Sequence, residues 1–388
     1  MSFYEIPNFV PVIGEQVCER CVMDSTDPSI KFDANGVCSY CLHFDNIKGV
    51  IPTGDGTSEL NLMATEIKKH KTKDSRYDCI VGFSGGLDSS YLLHLCVHVM
   101  KLNPLVLHVD AGWNTKQATA NIRCMIEGLH LDLHTIVIDW DIMREIQRSF
   151  IEAGIPHLDI PQDMAFFSAL YDYAVKNKVR AVLTGANFST EVIREPEAWG
   201  AYPGNDPKLL RSIVQQFSNV DVKGFPQVNS FTSRIVYRWF YGMKIFKPLN
   251  KVFYTKSQAE KTLTNMYDWQ PFTHKHHESF FTRFLESYYL PMKHKIDRRK
   301  AHYSSLILMG QMQRNDALEK LKTCAISHLD CRRDFEFLAD KLEISNSTLM
   351  EILTDTPKTV DEYANSRKLM QIAARLQNLI SQEKRLYK

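Results

Sequence analysis

The sequence has no apolar run of the ~20 residues that a membrane-spanning helix needs, and no large excess of either charge. Lysine plus arginine number 47 and aspartate plus glutamate 45, so the formal net charge is only +2. So small a charge provides no general attraction to nucleic acid. The N-terminal segment also lacks the basic residues followed by an apolar stretch that mark a secretory signal. These absences predict a cytoplasmic protein for which nucleic acid is not an obligatory partner.

The cysteines do not have the pattern of a disulfide framework. Of nine cysteines, four form two CxxC pairs, Cys18 with Cys21 and Cys38 with Cys41, and the other five are scattered among apolar residues. Two CxxC pairs at this spacing are typical of a zinc ribbon. Four protein ligands leave no open position for substrate, so we expect a structural Zn²⁺ bound by all four thiolates. A redox role is disfavoured because the segment lacks a βαβ pattern.

The remaining sequence divides into regions by its apolar pattern. Residues 1–50 hold the cysteine pairs, and residues 51–76 are interpreted as a linker followed by a short helix. Short apolar runs alternate with helical patterns in residues 77–250, which also include a loop-rich segment. This alternation predicts an α/β fold with a mostly parallel sheet covered on both faces. Residues 251–388 are predicted to be helical, with an amphipathic stretch over 369–386.

Four apolar runs predict the strands of the sheet: YDCIVGF, PLVLHVD, HTIVID and RAVLTG. Ligands of such sheets bind at the carboxyl ends of the strands. The first run ends at the motif SGGLDSS, where a helix is predicted to begin. Glycines let the backbone approach a ligand closely, and the amide groups of a helix N-terminus suit a phosphate. The predicted phosphate ligands are Ser84, Gly85, Gly86, Ser89 and Ser90.

Asp88 lies inside the same motif and would repel a bare phosphate, so we assign it a catalytic role in positioning Mg²⁺ against ATP. The motif lacks the lysine of a Walker A loop, which suits attack at the α-phosphate with pyrophosphate as the leaving group. In this setting SGGLDSS resembles the PP-loop ATP pyrophosphatase superfamily. The resemblance implies further nucleotide contacts at Asp110, after the second strand, and at Thr184, Gly185 and Asn187, after the fourth.

Basic, histidine and aromatic residues crowd the segment HKHHESFFTRFLESYYLPMKHKIDRRKAHYSSLI. The segment can be interpreted as a nucleic-acid surface with stacking aromatic rings, as a histidine metal site, or as helix surfaces around an aromatic core. The pattern favours the last interpretation. A metal site is disfavoured because His276 and His277 are adjacent and would point apart on a helix.

Together these segments resemble the N-acetyl sugar amidotransferase family, PP-loop enzymes of bacterial surface-polysaccharide (lipopolysaccharide O-antigen) biosynthesis. The resemblance rests on CERCVMDSTDPSIKFDANGVCSYC, FSGGLDSS, LTGANFSTEVI and KHHESFFTRFLESYYLP followed by IDRRKAHYSSLILMGQMQRNDAL. At one place the chain differs, because Thr273 and His274 stand where family members have a Gly-Gly pair. The family implies an adenine nucleotide alpha hydrolase-like PP-loop domain between the zinc ribbon and the helical C-terminal region.

The resemblance implies that ATP activates an acetamido group of a nucleotide-linked N-acetyl sugar, and that ammonia converts it into an acetamidino group. The amide oxygen would attack the α-phosphate, pyrophosphate would leave, and ammonia would displace AMP. The charge that develops at the α-phosphate needs a fixed cation, for which Lys275 is the first candidate and Arg298 the second. Glu278 is expected either to accept a proton from ammonia or to orient Lys275. Trp199 and Tyr202 are interpreted either as stacking on the base of the sugar nucleotide or, equally, as packing in the core.

The chain contains no recognisable glutaminase motif. The resemblance therefore implies a separate glutaminase subunit of the kind that serves imidazole glycerol phosphate synthase, and it is compatible with a cyclase-like companion. The main alternative is a tRNA-modifying PP-loop enzyme that adenylates a base oxygen, but none of the five other cysteines forms a CxxC pair. Two further alternatives are a zinc-ribbon scaffold with an inactive nucleotide fold, disfavoured by the intact SGGLDSS, and asparagine-synthetase-like chemistry.

Overall fold

The computed structural model describes residues 11–229 and 232–372, without the side chains of residues 233–235. Most of the amphipathic stretch predicted over 369–386 therefore lies outside the described residues. In the described ranges, each helix is too short or too polar to cross a membrane.

A parallel sheet of five strands lies at the centre of the described chain. The strands are β1 (Cys79–Gly82), β2 (Pro104–Asp110), β3 (Leu133–Val137), β4 (Ala181–Leu183) and β5 (Lys244–Phe246), in the spatial order β3-β2-β1-β4-β5. Neighbouring strands pair in parallel throughout. The first four strands confirm the predicted ones. The fifth was missed, because it is only three residues long and lies in the segment interpreted as loops.

Helices surround the sheet and form the C-terminal region. In chain order they are α1 (Ser39–Ile47), α2 (Thr57–His70), α3 (Leu87–His94), α4 (Lys116–Leu129), α5 (Trp140–Ala153), α6 (Ile160–Lys176), α7 (Phe188–Glu191), α8 (Pro207–Phe217), α9 (Lys256–Tyr267), α10 (Phe280–Phe284), α11 (Arg299–Leu308), α12 (Arg314–Leu321), α13 (His328–Leu342) and α14 (Asn346–Thr354). The α3 helix continues into a π-helical turn, Leu95–Val99, and α10 continues into a π-helical segment, Leu285–His294.

Successive strand residues pack on opposite faces of the sheet, as the two-residue period of a strand requires. Val81 belongs to a core shared with α2, α3 and α9, whereas its neighbour Ile80 packs with Leu170 of α6. This arrangement confirms the prediction of a sheet covered on both faces. The carboxyl ends of the strands consequently meet at one edge of the sheet, where the turn that follows β1 carries the SGGLDSS motif.

The N-terminal cysteine segment packs against the C-terminal helices. Nζ of Lys300 lies 2.6 Å from Asp24 Oδ2, and both side chains are only 2% exposed. Nε of Arg314 donates to the carbonyl oxygens of Cys18 and Cys21, at 3.0 Å in each case. These contacts join residues that are far apart in the sequence, so the segment is an integral part of the fold.

The segment before α10 pairs with the turn after β2. The amide of Thr115 donates to the carbonyl oxygen of Glu278 at 2.9 Å, and the amide of Phe280 donates to that of Trp113 at 2.8 Å. This pairing carries the side chain of Glu278 to the edge of the sheet. The aromatic residues that follow, including Phe281 and Tyr289, are buried, which agrees with their interpretation as core.

Candidate active site

The motif SGGLDSS forms the turn between β1 and α3. Gly85 has a φ of +80°, a left-handed conformation that favours glycine. A Cβ atom at this position would also lie 2.7 Å from the carbonyl oxygen of Ala118. At Gly86, a Cβ atom would lie 2.6 Å from Oε1 of Glu278. The backbone angle and the close carbonyl oxygen explain why position 85 carries glycine, and the contact at Gly86 shows how near Glu278 lies to the loop.

The hydroxyl groups of the loop form a small network in front of α3. Oγ of Ser84 lies 3.2 Å from Oγ of Ser89 and 3.3 Å from Oε1 of Glu278. The amide of Gly86 donates to Ser84 Oγ at 3.3 Å. Ser90, in contrast, is fully buried and does not line the cleft, and its Oγ has no hydrogen-bond partner among the described residues. The structure therefore brings Ser84 and Ser89 to the cleft, but not Ser90.

Asp88 and Lys275 form an ion pair beside the loop. Nζ of Lys275 lies 3.2 Å from Asp88 Oδ2 and 2.6 Å from Glu191 Oε1, and it donates to Thr190 Oγ1 at 2.8 Å. The hydroxyl of Tyr254 donates to Asp88 Oδ1 at 2.6 Å. Burial alone would lower the pKa of Lys275, but the charges of Asp88 and Glu191 raise it above its ordinary value. Lys275 is therefore a fixed cation next to the phosphate loop.

Glu278 reaches the phosphate loop through Ser84. Its carboxylate contacts Ser84, while the ion-pair partners of Lys275 are Asp88 and Glu191. These contacts favour the role of proton acceptor for Glu278, because the two other carboxylates hold the ammonium group. Burial is the main cause that raises the pKa of Glu278, and the nearby charge of Asp88 acts in the same direction. A carboxyl group with a raised pKa in this position suits a proton acceptor.

The turn after β4 lies beside the phosphate loop. Thr184 and Gly185 line the cleft, and a Cβ atom at Gly185 would lie 3.3 Å from Asp88. Asn187 is buried at the start of α7, where its Oδ1 accepts a hydrogen bond from the amide of Thr190 at 2.9 Å. Asn187 therefore positions Thr190 and does not itself line the cleft.

Asp110 is the last residue of β2, and its side chain forms hydrogen bonds with the turn that follows. Its Oδ1 accepts hydrogen bonds from the amide of Gly112 at 2.8 Å and from Nδ2 of Asn114 at 3.2 Å. Asp110 is not among the residues that line the cleft. In this structure its side chain shapes the turn, and the contact with the nucleotide that the resemblance implies stays a prediction.

The cleft at the carboxyl ends of the strands has a volume of about 580 Å³. One wall is polar and consists of the phosphate loop with Lys275 and Glu278. The other wall is apolar and is built by Phe166, Phe167, Leu170, Tyr171, Val182 and Ile245. The two walls suit a nucleotide whose phosphates meet the loop and whose base meets the apolar side chains. The apolar wall was missed, because apolar residues of a helix look alike in the sequence whether they face a core or a cavity.

The four N-terminal cysteines converge as predicted. Their Sγ atoms all lie within 4.8 Å of one another, with 3.8 Å between Cys18 and Cys41 and 3.7 Å between Cys21 and Cys38. A tetrahedral ion with bonds of ~2.3 Å to sulfur would separate its ligands by about 3.8 Å. The amide of Cys38 donates to Cys18 Sγ at 3.2 Å, as amides do to a metal-bound thiolate. The cluster therefore fits a metal ion held by four thiolates.

Comparisons with known proteins agree with this geometry. Residues 278–377 match the family described as "LPS biosynthesis protein WbpG-like, C-terminal domain". Residues 78–157 match the phosphoadenosine phosphosulfate reductase domain, a domain of the PP-loop superfamily. The chain therefore contains a WbpG-like C-terminal domain and a domain of the PP-loop superfamily, whose members use ATP. The predicted resemblance is confirmed for these two domains.

One curated relative of this WbpG-like chain is an uncharacterized protein of Methanocaldococcus jannaschii. The two are 29% identical over 131 residues, which cover 32% of this chain and 43% of that protein. The chain therefore spans less than half the length of the curated relative it matches.

Three solved structures show weak similarity to the WbpG-like chain. An NH3-dependent NAD synthetase from Campylobacter jejuni, in complex with nitrate, is 22% identical with a TM-score of 0.28, covering 34% of this chain and 56% of that one. An NMN synthetase from Francisella tularensis is 14% identical with a TM-score of 0.28, covering 55% and 92%. The tRNA thiolase NcsA from Methanococcus maripaludis, with its 4Fe–4S cluster, is 13% identical with a TM-score of 0.32, covering 79% and 88%.

Arg298 is not free to serve as a second cation at the phosphate loop. Its Nε lies 3.0 Å from Glu195 Oε1 and its Nη1 lies 3.2 Å from Glu286 Oε1. Burial alone would lower the pKa of Arg298, but these two glutamates raise it. Arg298 lines two cavities that adjoin the cleft, but not the cleft itself. The structure therefore brings Lys275, but not Arg298, to the loop.

Of the two interpretations of Trp199 and Tyr202, the structure supports core packing. The two residues are only 1% and 6% exposed. The indole of Trp199 donates to the carbonyl oxygen of Thr26 at 3.3 Å, and the hydroxyl of Tyr202 donates to Asp206 Oδ2 at 2.6 Å. Both rings are part of the core that joins the loop-rich segment to its neighbours.

Proposed function

We propose that this protein is an ATP-dependent amidotransferase that converts an acetamido group of a nucleotide-linked N-acetyl sugar into an acetamidino group. The proposal rests on one observation: the side chains of Lys275 and Glu278 both lie beside the phosphate loop. Lys275 lies 3.2 Å from Asp88, and Glu278 lies 3.3 Å from Ser84. A cation and a buried carboxyl group thus flank the place where the loop would hold the phosphates of ATP.

The first half of the reaction is activation of a poor electrophile. The amide oxygen of the sugar attacks the α-phosphorus of ATP, the bond to the bridging oxygen breaks, and pyrophosphate leaves. Amide groups at the start of α3 and the hydroxyl groups of Ser84 and Ser89 would hold the departing phosphates. Lys275 is protonated because of its two carboxylate neighbours, so it acts by its charge and not as a base.

Magnesium fits the same place. Asp88 and Glu191 present carboxylate oxygens beside the loop, which are the ligands that Mg²⁺ prefers. The ion would supply positive charge against the phosphates. In the N-terminal segment, structural Zn²⁺ fits the four thiolates, none of which lines the cleft.

The second half of the reaction replaces AMP by nitrogen. Ammonia adds to the carbon of the adenylylated imidate, one of its protons is removed, and the C–O bond to AMP breaks. Glu278 would accept that proton, since burial raises the pKa of its carboxyl group. Supply of ammonia by a separate glutaminase, with or without a cyclase-like subunit, remains a prediction, as does a cytoplasmic location.

Thiolation of tRNA finds no support in the cleft. Among the described residues, no cysteine lines it, although such a reaction needs a sulfur carrier at the site. Cys79 and Cys96 are buried side by side, with 3.8 Å between their sulfur atoms, on the core side of β1.

The proposal is tested with purified protein, ATP, Mg²⁺, ammonium chloride and a panel of UDP-linked acetamido sugars. We expect a product in which NH replaces one oxygen, seen by mass spectrometry, together with equal amounts of AMP and pyrophosphate. Asp88→Asn should abolish it, whereas Asp172→Asn, an exposed aspartate of α6, should not. Conversion of ATP to AMP only in the presence of tRNA would contradict the proposal.

A further inference from the structure

Three neighbouring cavities share the side chain of His276. The first is the nucleotide cleft. The second, of about 340 Å³, is rich in histidine and arginine, and the third, also of about 340 Å³, is rich in carboxyl groups. The proposed reaction brings three reactants, namely ATP, the acceptor amide and a nitrogen donor, to one carbon atom. The charge of each cavity therefore bears on which reactant it receives.

The third cavity, which we call the acidic cavity, has a strong excess of negative groups. In the described chain, four carboxyl groups and one guanidinium group line it: Asp159, Asp163, Glu278, Glu286 and Arg298. The guanidinium is already paired with Glu195 and Glu286. The two aspartates, which belong to the start of α6 and the turn before it, are therefore left without a cation of their own.

Two polar side chains of this cavity lack a partner. Asp163 accepts no hydrogen bond and forms no ion pair with any described residue, and it lines both the acidic cavity and the nucleotide cleft. Nδ1 of His157 is buried without a hydrogen-bond partner in the described ranges. Burial lowers the pKa of His157 to about 3, with a further contribution from Arg298, so its imidazole is neutral. Asp163 is partly exposed to the cavity, so its carboxylate is open to a hydrogen-bond donor there. The buried Nδ1 of His157 also calls for a partner, since buried polar groups are nearly always satisfied.

The spacing of the carboxylates indicates that the ligand of the acidic cavity is not a directly coordinated metal ion. Among the described residues, only the four N-terminal cysteines bring three or more metal-ligating atoms within 4.8 Å of one another. No three carboxylates of the acidic cavity therefore converge closely enough to coordinate one ion together. A small cation that carries several N–H donors suits this spacing, because each carboxylate can accept a separate hydrogen bond.

We infer that the acidic cavity, formed by Asp159, Asp163, Glu286 and His157, binds ammonium and removes one proton from it before nitrogen attacks the adenylylated amide. The inference rests on the proposed function and names the place where the nitrogen donor enters. Ammonium gives one proton to an aspartate, and neutral ammonia is left. Glu278 and Ser84 form the boundary between this cavity and the nucleotide cleft, so ammonia passes them to reach the carbon.

The protonation behaviour of the cavity is consistent with this role. Burial, together with the charge of Asp163, raises the pKa of Asp159 to about 7. Burial raises the pKa of Asp163 to about 6. A carboxylate with a pKa near neutrality takes a proton from ammonium more readily than an ordinary exposed aspartate does.

The test compares two nucleophiles in the variant Asp163→Asn. Ammonium must be bound as a cation and deprotonated, whereas hydroxylamine is neutral near pH 7.5 and needs neither step. We expect the KM for ammonium to rise at least about tenfold, the loss typical of one charged hydrogen bond. The rate with hydroxylamine, followed as formation of the amidoxime, should stay within about twofold of wild type. Asp172→Asn, on the exposed side of the same helix, is the matched control.

The outcomes separate this inference from the proposed function. Equal losses with ammonium and hydroxylamine, or an unchanged KM for ammonium, would overturn the inference and leave the amidotransferase standing. An increase only in the KM for the acceptor sugar would assign the acidic cavity to the sugar instead. If the wild-type protein makes no product with either nucleophile, the proposed function fails, and the inference fails with it.

Discussion

Replacing Lys275 by methionine removes one positive charge and keeps most of the volume of the side chain. In the structure this charge lies 3.2 Å from Asp88 and 2.6 Å from Glu191, beside a loop that would hold the phosphates. If Lys275 stabilises charge that develops during attack at the α-phosphate, the loss should appear in kcat. Removal of one such group costs about 3–4 kcal/mol, or about 10²–10³-fold in rate.

The substitution Lys275→Met should change the free energy of unfolding much less than it changes the activation free energy. Breaking a fully buried pair costs about 3–5 kcal/mol, but Glu191 is 40% exposed and Asp88 is 21% exposed. Water can therefore solvate the two carboxylates that lose their cation, and we expect a loss of about 1–2 kcal/mol. The variant should remain folded at assay temperature, which thermal denaturation can establish.

The assay is the formation of AMP and amidine with saturating ATP, sugar and ammonium, followed by the dependence on ATP concentration. We expect kcat to fall about 10²–10³-fold while the KM for ATP changes by less than about tenfold. Lys261→Met, at an exposed position of α9, is the control. A large rise in the KM for ATP at unchanged kcat would refute the reasoning, because it would show that Lys275 contributes equally to ground state and transition state.

Three further predictions concern other parts of the molecule. Gly85→Ala should abolish ATP turnover, because Gly85 has a φ of +80° and a Cβ there would lie 2.7 Å from the carbonyl oxygen of Ala118; a variant with wild-type turnover would show that the loop can shift at no cost. Removal of the metal with a strong chelator should lower the melting temperature, since four buried thiolates would lose the ion that joins them, and restored zinc, measured by elemental analysis, should reverse it. The kcat/KM for ammonium should fall as pH drops below about 7, because burial raises the pKa of Asp159 to about 7 and that of Asp163 to about 6, and a protonated carboxyl group accepts no proton; Asp159→Asn should move this fall toward pH 6, and a limb near pH 4 in the wild type would contradict the prediction.

The sequence by itself determined those features of the protein whose geometry depends on short local motifs. The SGGLDSS turn follows from two glycines between an apolar run and a helical pattern, and the four-cysteine cluster follows from two CxxC pairs. The geometry of such motifs depends mainly on backbone angles and ligand spacing, which neighbouring residues set. The order of strands and helices was also predictable, because periodicity reports which side of an element is apolar. The short β5 was not, since three residues are too few to show a period.

The tertiary structure alone decided which charges meet. Glu191 and Tyr254 contact the ion pair of Lys275 and Asp88 although they are far from one or both in the chain. Likewise, aspartates at the start of α6 meet Glu286 and Arg298 in one cavity. Sequence patterns report the polarity of a side chain and its position along an element, but not its neighbours from other elements.

The same limit explains why several side chains do not lie where the sequence suggested. The sequence shows that Trp199 and Tyr202 are aromatic and near glycine and proline, but burial depends on what packs over them, and here Thr26 and Asp206 satisfy their polar atoms. Glu278 is three residues from Lys275, yet a turn directs it to Ser84. The backbone conformation of a short motif can be predicted from neighbouring residues. The electrostatic environment and the burial of a side chain depend on distances in space, which only the folded structure sets.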